Sequence, residues 1–149
     1  MKYLKDFQPG RIYRFRSPPL STEEIISFAR EWHPQRLHTD EAYATGSHGG
    51  LIASSFQTML QVFKPVMHEM MTGAANIDGL GLEELRWPRP TPPGEALDIA
   101  LEVNSATPSR SKPDRGVLAY TLRARNPAGE VVFTTKTPMM IQRRASRKR

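Results

Sequence analysis

Two histidines, His33 and His38, stand five residues apart in the polar run HPQRLHTDEAYATGSHGG, with Asp40 two residues beyond the second. Imidazole titrates near neutrality, so it can take a proton and return it within one turnover. An irregular stretch of this length inside a compact domain is more often functional than filler. A metal pair fits poorly, because Pro34 breaks any shared helical face and no third ligand has matching spacing. The chain has no Cys, which removes thiolate zinc sites, disulfides and a cysteine nucleophile. Ser54 and Ser55 follow in GGLIASS, which is not the G-x-S-x-G turn that exposes a nucleophilic serine. Their hydroxyls can bond a ligand or the backbone one turn earlier. His48, just before Gly49, is a ligand contact or a solvent-facing cap.

Cations mark a second candidate region. Arg110, Lys112 and Arg115 lie between Pro108 and the following strand pattern, where they suit phosphate recognition or plain solvation. Arg86 and Arg89 flank Trp87, which can stack on a planar ligand or pack on a strand edge.

The elements that must hold these residues are legible as patterns. Ile12 and Phe15 read as an edge strand ending at Ser17-Pro18-Pro19. Ser21-Thr22-Glu23-Glu24 is a capping box, followed by Ile25, Phe28, Ala29 and Trp32 at helical spacing. Pro34 should stop that helix near His33. A short turn over Asp40–Ala44, capped by Asp40 and stopped by Gly46, comes next. From Gly50 to Met71 the apolar residues spread over more than one helical face, which predicts a largely buried helix opening at Ser47-His48-Gly49-Gly50. Pro65 should kink or break it. Met59, Met67, Met70 and Met71 suit core or subunit-interface gaps, or an apolar acyl pocket. After a Gly-rich link, Thr72–Gly81, period-two patterns over Leu82–Trp87, Ala96–Val103, Val117–Arg125 and Val131–Ile141 predict four strands. Helices first and strands afterwards argue an α+β domain with one sheet packed on the long helix.

Length and charge bound the rest. A chain of 149 residues suits one domain, expected over 1–142, with a basic, disordered tail over 143–149. The formal charge is +6, and five cations fall in that tail, leaving about +1 for the body. That distribution does not predict a specific nucleic-acid partner. No apolar run is long enough for a membrane span and the N-terminus lacks an apolar signal core, so a cytoplasmic protein is expected.

Taken together, the run from His33 to Asp40, the downstream GGLIAS, ELRWPRPTPPGE (Glu84 to Glu95) and SRSKPDRG (Ser109 to Gly116) resemble the MaoC-like dehydratase family over about Ser21 to Arg144. The resemblance implies a hotdog fold, a curved antiparallel sheet wrapped around one central helix. It also implies a hydro-lyase of fatty acid metabolism that adds water across a 2-enoyl-CoA, using an aspartate and a histidine as general base and acid. His38 matches the family's histidine. Where the family places its aspartate, this chain has His33, which can accept a proton but supplies no fixed negative charge. By the same resemblance, backbone N–H groups at Gly49, Gly50 and Leu51 would receive the thioester carbonyl, with Ser54 and Ser55 nearby. Arg86, Arg110, Lys112 and Arg115 become candidates for the phosphates of coenzyme A. No cofactor and no metal are implied. A homodimer is, since one such sheet leaves an edge and an apolar helix face uncovered. Two other readings stay open: thioester hydrolysis using Glu31 or Glu69, and a non-catalytic acyl-CoA or acyl-carrier binding module.

Overall fold

The Ser21 hydroxyl accepts the Glu24 N–H at 3.0 Å and the Glu24 carboxylate accepts the Ser21 N–H at 3.0 Å, the reciprocal pair that the spacing predicts. In this computed structural model, which describes residues 1–145, that box opens α1 (Thr22–Trp32). Pro34 ends it as expected, with His33 at φ −154° and ψ 68°, outside the helical region. One turn, α2 (Arg36–Thr39), leads to α3 (Glu41–His48), whose first N–H groups are met by the Asp40 carboxylate at 3.0 Å from the Tyr43 nitrogen. Here α3 passes the expected stop at Gly46 and ends at Gly49, where φ is 76°. Only that left-handed residue lets the chain turn back, so the glycine that matters is three positions later.

The central helix, α4, spans Ser55–Glu69 with Ser54 as its cap. It therefore starts five residues after the expected Gly50. Residues 51–54 are extended instead, tied down by the Ala53 N–H donating to the Thr91 carbonyl at 2.8 Å. Leu51 and Ala53 are apolar because they join Ile25 and Ala44 in a small second core, not because they lie on a helix face. Pro65 sits inside α4 without breaking it.

The strands are β1 (Ile12–Ser17), β2 (Asn76–Gly79), β3 (Glu83–Arg86), β4 (Leu97–Pro108), β5 (Arg115–Arg125) and β6 (Val131–Gln142). They form one antiparallel sheet in the order β1-β4-β5-β6-β2, with β3 also on β6. Thus β2 lies inside the stretch expected as a link, and β4 runs five residues further than its pattern, past a bulge between Val103 and Ser105. Val62 and Val66 of α4 are fully buried against Leu97, Leu101, Leu118, Leu122 and Phe133 of the sheet. The curved sheet around one long helix is the hotdog arrangement that the resemblance implies. Among the described residues, no helix is long and apolar enough to cross a membrane.

Of the expected tail, residues 143–145 are described. Arg143 donates its N–H to the Asp114 carbonyl at 2.8 Å and its guanidinium to the Pro113 carbonyl at 3.2 Å. Arg144 reaches Asp6 at 3.5 Å and lies over the Tyr3 ring. Arg147, Lys148 and Arg149 fall outside the described residues.

Where β4 and β5 meet, Gly116 leaves no room for a side chain. An added Cβ would lie 2.5 Å from both the Thr107 carbonyl oxygen and Leu4 Cδ2, and 3.0 Å from Pro108 Cα. Two of those atoms are backbone and cannot turn away, so Gly116→Ala is expected to cost about 1–3 kcal/mol, read as a lower urea midpoint.

Candidate active site

The small core of Ile25, Ala44, Leu51 and Ala53 fastens α1, α3 and the extended segment to one another. As a result His33 at the end of α1, His38 in α2 and Ser54 at the head of α4 come together. The two imidazole rings lie 4.6 Å apart, tilted by 51°. His38 is buried, and its Nδ1 is 2.7 Å from the Ile52 carbonyl oxygen. A carbonyl only accepts, so Nδ1 carries the proton and Nε2 is left with its lone pair. His33 is half-buried, with Nδ1 2.8 Å from Ser54 Oγ and its ring 5.4 Å from that of Phe56. Among the described residues no carboxylate hydrogen-bonds to either imidazole.

Burial holds the His38 pKa below its ordinary value; the Ile52 carbonyl opposes this, while His33 and His48 add to it. The neutral ring, which is the base, therefore persists to more acid pH than an exposed histidine would allow. The sign for stability follows. An unfolded His38 takes up its proton near pH 6.5, whereas the folded one resists, so stability falls as pH drops from that region and levels off below the folded pKa. His38→Gln is expected to flatten part of that acid slope in urea midpoints measured from neutral to mildly acid buffer.

Other expected residues fall elsewhere. Gly49 and Gly50 do not open the long helix; both direct their N–H groups to the Ala44 carbonyl. Their backbone angles, φ 76° and 151°, explain the glycines. These two N–H groups are thereby engaged within the chain, and the helix start at which the oxyanion role was expected falls after Ser54. His48 is exposed and pairs with Ser47. Asp40 caps α3, and Arg36 lies over the Tyr43 ring at 4.0 Å. Trp87 packs against the core: its indole N–H donates to the Ser55 carbonyl at 2.9 Å and its ring meets Phe133 edge-on.

The four candidate phosphate-binding cations are divided between the ends of α4. Arg86, next to Trp87, lies at the histidine end. Arg115 pairs with Gln142, whose N–H donates to Ala75 just beyond the C-terminus of α4. The hairpin carrying Arg110, Lys112 and Arg115 is thus at the far end of a helix of 15 residues, about 22 Å long. Arg115 is also engaged by Asp114 at 2.9 Å. Lys5, Arg143 and Arg144 line a neighbouring cleft of about 470 Å³. Arg143 and Arg144 of the basic C-terminal run thus lie beside cations of the body here, with Asp6, Asp114 and Glu69 at the same pole.

Sequence reasoning missed Phe56, the Ile52 carbonyl and the specific pairing of Ser54 with His33. A backbone acceptor leaves no trace in residue type, and Ser54 is 21 positions from its partner.

A model of a known family, the MaoC-like domain, matches residues 6–123. A Bacillus subtilis protein, YdeM, is 30% identical over 141 residues, which cover 94% of this chain and 99% of that one. The crystal structure of a MaoC-like dehydratase from Rhodospirillum rubrum superposes with a TM-score of 0.86 at 34% identity, covering 98% of this chain and 100% of that one. An R-hydratase from Pseudomonas aeruginosa shares the fold at a TM-score of 0.71 and 20% identity, over 99% and 93% of the two chains.

Proposed function

Because the chain belongs to the MaoC-like dehydratase family, we propose that it is a hydro-lyase that reversibly hydrates a 2-enoyl-CoA to a 3-hydroxyacyl-CoA. One observation carries this reading: His38, buried and neutral, keeps an unshared Nε2 lone pair beside a second imidazole. In the forward direction His38 Nε2 takes a proton from water as the new O–C3 bond forms. The C2=C3 electron pair moves onto the thioester as an enolate, and His38 returns the proton to C2. Donors for the enolate oxygen are the N–H groups that open α4 after Ser54, where the helix dipole also favours negative charge. Arg86 is the candidate cation placed to meet the carrier from the same end.

Thioester hydrolysis is less well served. It needs a carboxylate-activated water, yet Glu31 is exposed and Glu69 ends α4 at the opposite pole. Following crotonyl-CoA by ultraviolet absorbance, with free thiol read in parallel, separates the options. Loss of enoyl absorbance without thiol is expected; thiol release, or binding with neither, overturns the reading.

The same reading includes a homodimer. Phe56 and Leu60 of α4 are 49% and 52% exposed; Ile77, Leu80 and Leu82 along the β2–β3 edge are exposed as well, and Ile77 and Leu82 share a cleft with Phe63 and Met67 of α4. A second copy would cover this face and close the site over Phe56. Leu60→Glu is expected to raise the dimer dissociation constant by about tenfold or more in sedimentation velocity. An unchanged constant would mean that α4 is not the contact.

A further inference from the structure

We propose that Ser54 is a positioning residue that locks the proton of His33 on Nε2, so that the two histidines offer one lone pair and one N–H to the same water. This deepens the hydratase reading and rests on it. Ser54 is fully buried. Among the described residues its hydroxyl has two hydrogen-bonding neighbours, His33 Nδ1 at 2.8 Å and the Phe56 N–H at 3.3 Å. The amide can only donate, so it takes a lone pair of Oγ. The single hydroxyl proton then has one acceptor within reach, which is His33 Nδ1. Were Nδ1 protonated instead, Oγ would accept twice and bury its own proton without a partner, an arrangement that folded proteins rarely keep.

His38 is fixed the other way round, because the Ile52 carbonyl at 2.7 Å demands a proton on Nδ1. The tautomers are therefore opposite. With the rings 4.6 Å apart, a water between them gives one proton to His38 Nε2 and accepts the His33 Nε2–H. Its second lone pair is left for C3. His33 keeps its proton throughout turnover: a neutral imidazole is a hydrogen-bond donor here, as one is to the developing oxyanion in triosephosphate isomerase. In the dehydration direction the same N–H steadies the departing hydroxyl oxygen while protonated His38 supplies its proton. A carboxylate at position 33 would only accept, so this site is wired with the reverse polarity.

Long-range proton–nitrogen correlation spectra of the full chain labelled with ¹⁵N-histidine, in alkaline buffer, test this directly. His33 is expected with Nε2 protonated and His38 with Nδ1 protonated. Ser54→Ala should turn His33 into a tautomer mixture and leave His38 unchanged, and Ser54→Thr should restore the lock. A His33 protonated on Nδ1 in the unsubstituted chain, or a tautomer indifferent to Ser54→Ala, overturns the proposal. On crotonyl-CoA, Ser54→Ala should lower kcat about tenfold or more with KM within about twofold, since positioning is lost and binding is not; unchanged kcat also overturns it. The tautomer readout does not depend on turnover, so it decides the lock even if the chain proves to have no hydratase activity.

Discussion

Replacing His38 by alanine is expected to lower hydration of crotonyl-CoA about 10²–10⁴-fold, the usual worth of a positioned proton-transfer group. The ring is buried, its Nδ1 is committed to the Ile52 carbonyl, and its Nε2 has no hydrogen-bond partner among the described residues. Among the described residues no carboxylate hydrogen-bonds to it. Part of the effect on the fold is separable, because removing the ring also strips the partly buried Ile52 carbonyl of its donor, at a cost of about 1–3 kcal/mol. His38→Gln, whose amide can still donate to Ile52, controls for that: it should keep more of the stability while staying inactive. Turnover that survives in a folded His38→Ala variant would remove this residue from the chemistry.

His33→Asp is expected to raise turnover about tenfold and to move the acid limb of the rate profile to higher pH. The carboxylate would replace the ring that now stands 4.6 Å from His38 and would still receive the Ser54 hydroxyl proton. A negative charge there favours imidazolium, so His38 would protonate more readily, the reverse of what burial and His33 do now. The imidazolium formed when His38 takes the water proton would be stabilised, which is the gain in rate. That charge is expected to outweigh the loss of the His33 N–H to the water; a lower rate with the fold intact would mean that the donor at position 33 is worth more than the charge.

The parts of this molecule set by neighbours in sequence were legible before any coordinates. Ser21 and Glu24 announce the start of α1, Pro34 its end, and Asp40 the start of α3; each works through a bond or clash within four residues. The long strands β5 and β6 show in alternation because one face meets α4 and the other does not. What failed depended on distant partners. Leu51 and Ile52 extend a helical pattern, yet the chain is extended there because Ala53 bonds to Thr91 and Leu51 fills the core beside α1. Residues 76–79 look like a glycine-rich link and become β2 only because β6 offers them an edge. In the site, the histidines were found by residue type and by resemblance, whereas Ser54 was one of two equal serines until the fold set it against His33. The three hairpin cations, candidates for the coenzyme A phosphates, lie beyond the length of α4 from the histidines within one chain.

The most direct test is a crystal structure of the full chain with a non-reactive enoyl-CoA analogue. The account predicts C3 of the acyl group within about 3 Å of a water, or of the hydroxyl that replaces it, held between His38 Nε2 and His33 Nε2. An acyl chain lodged away from both rings, with His38 still enclosed, would contradict it.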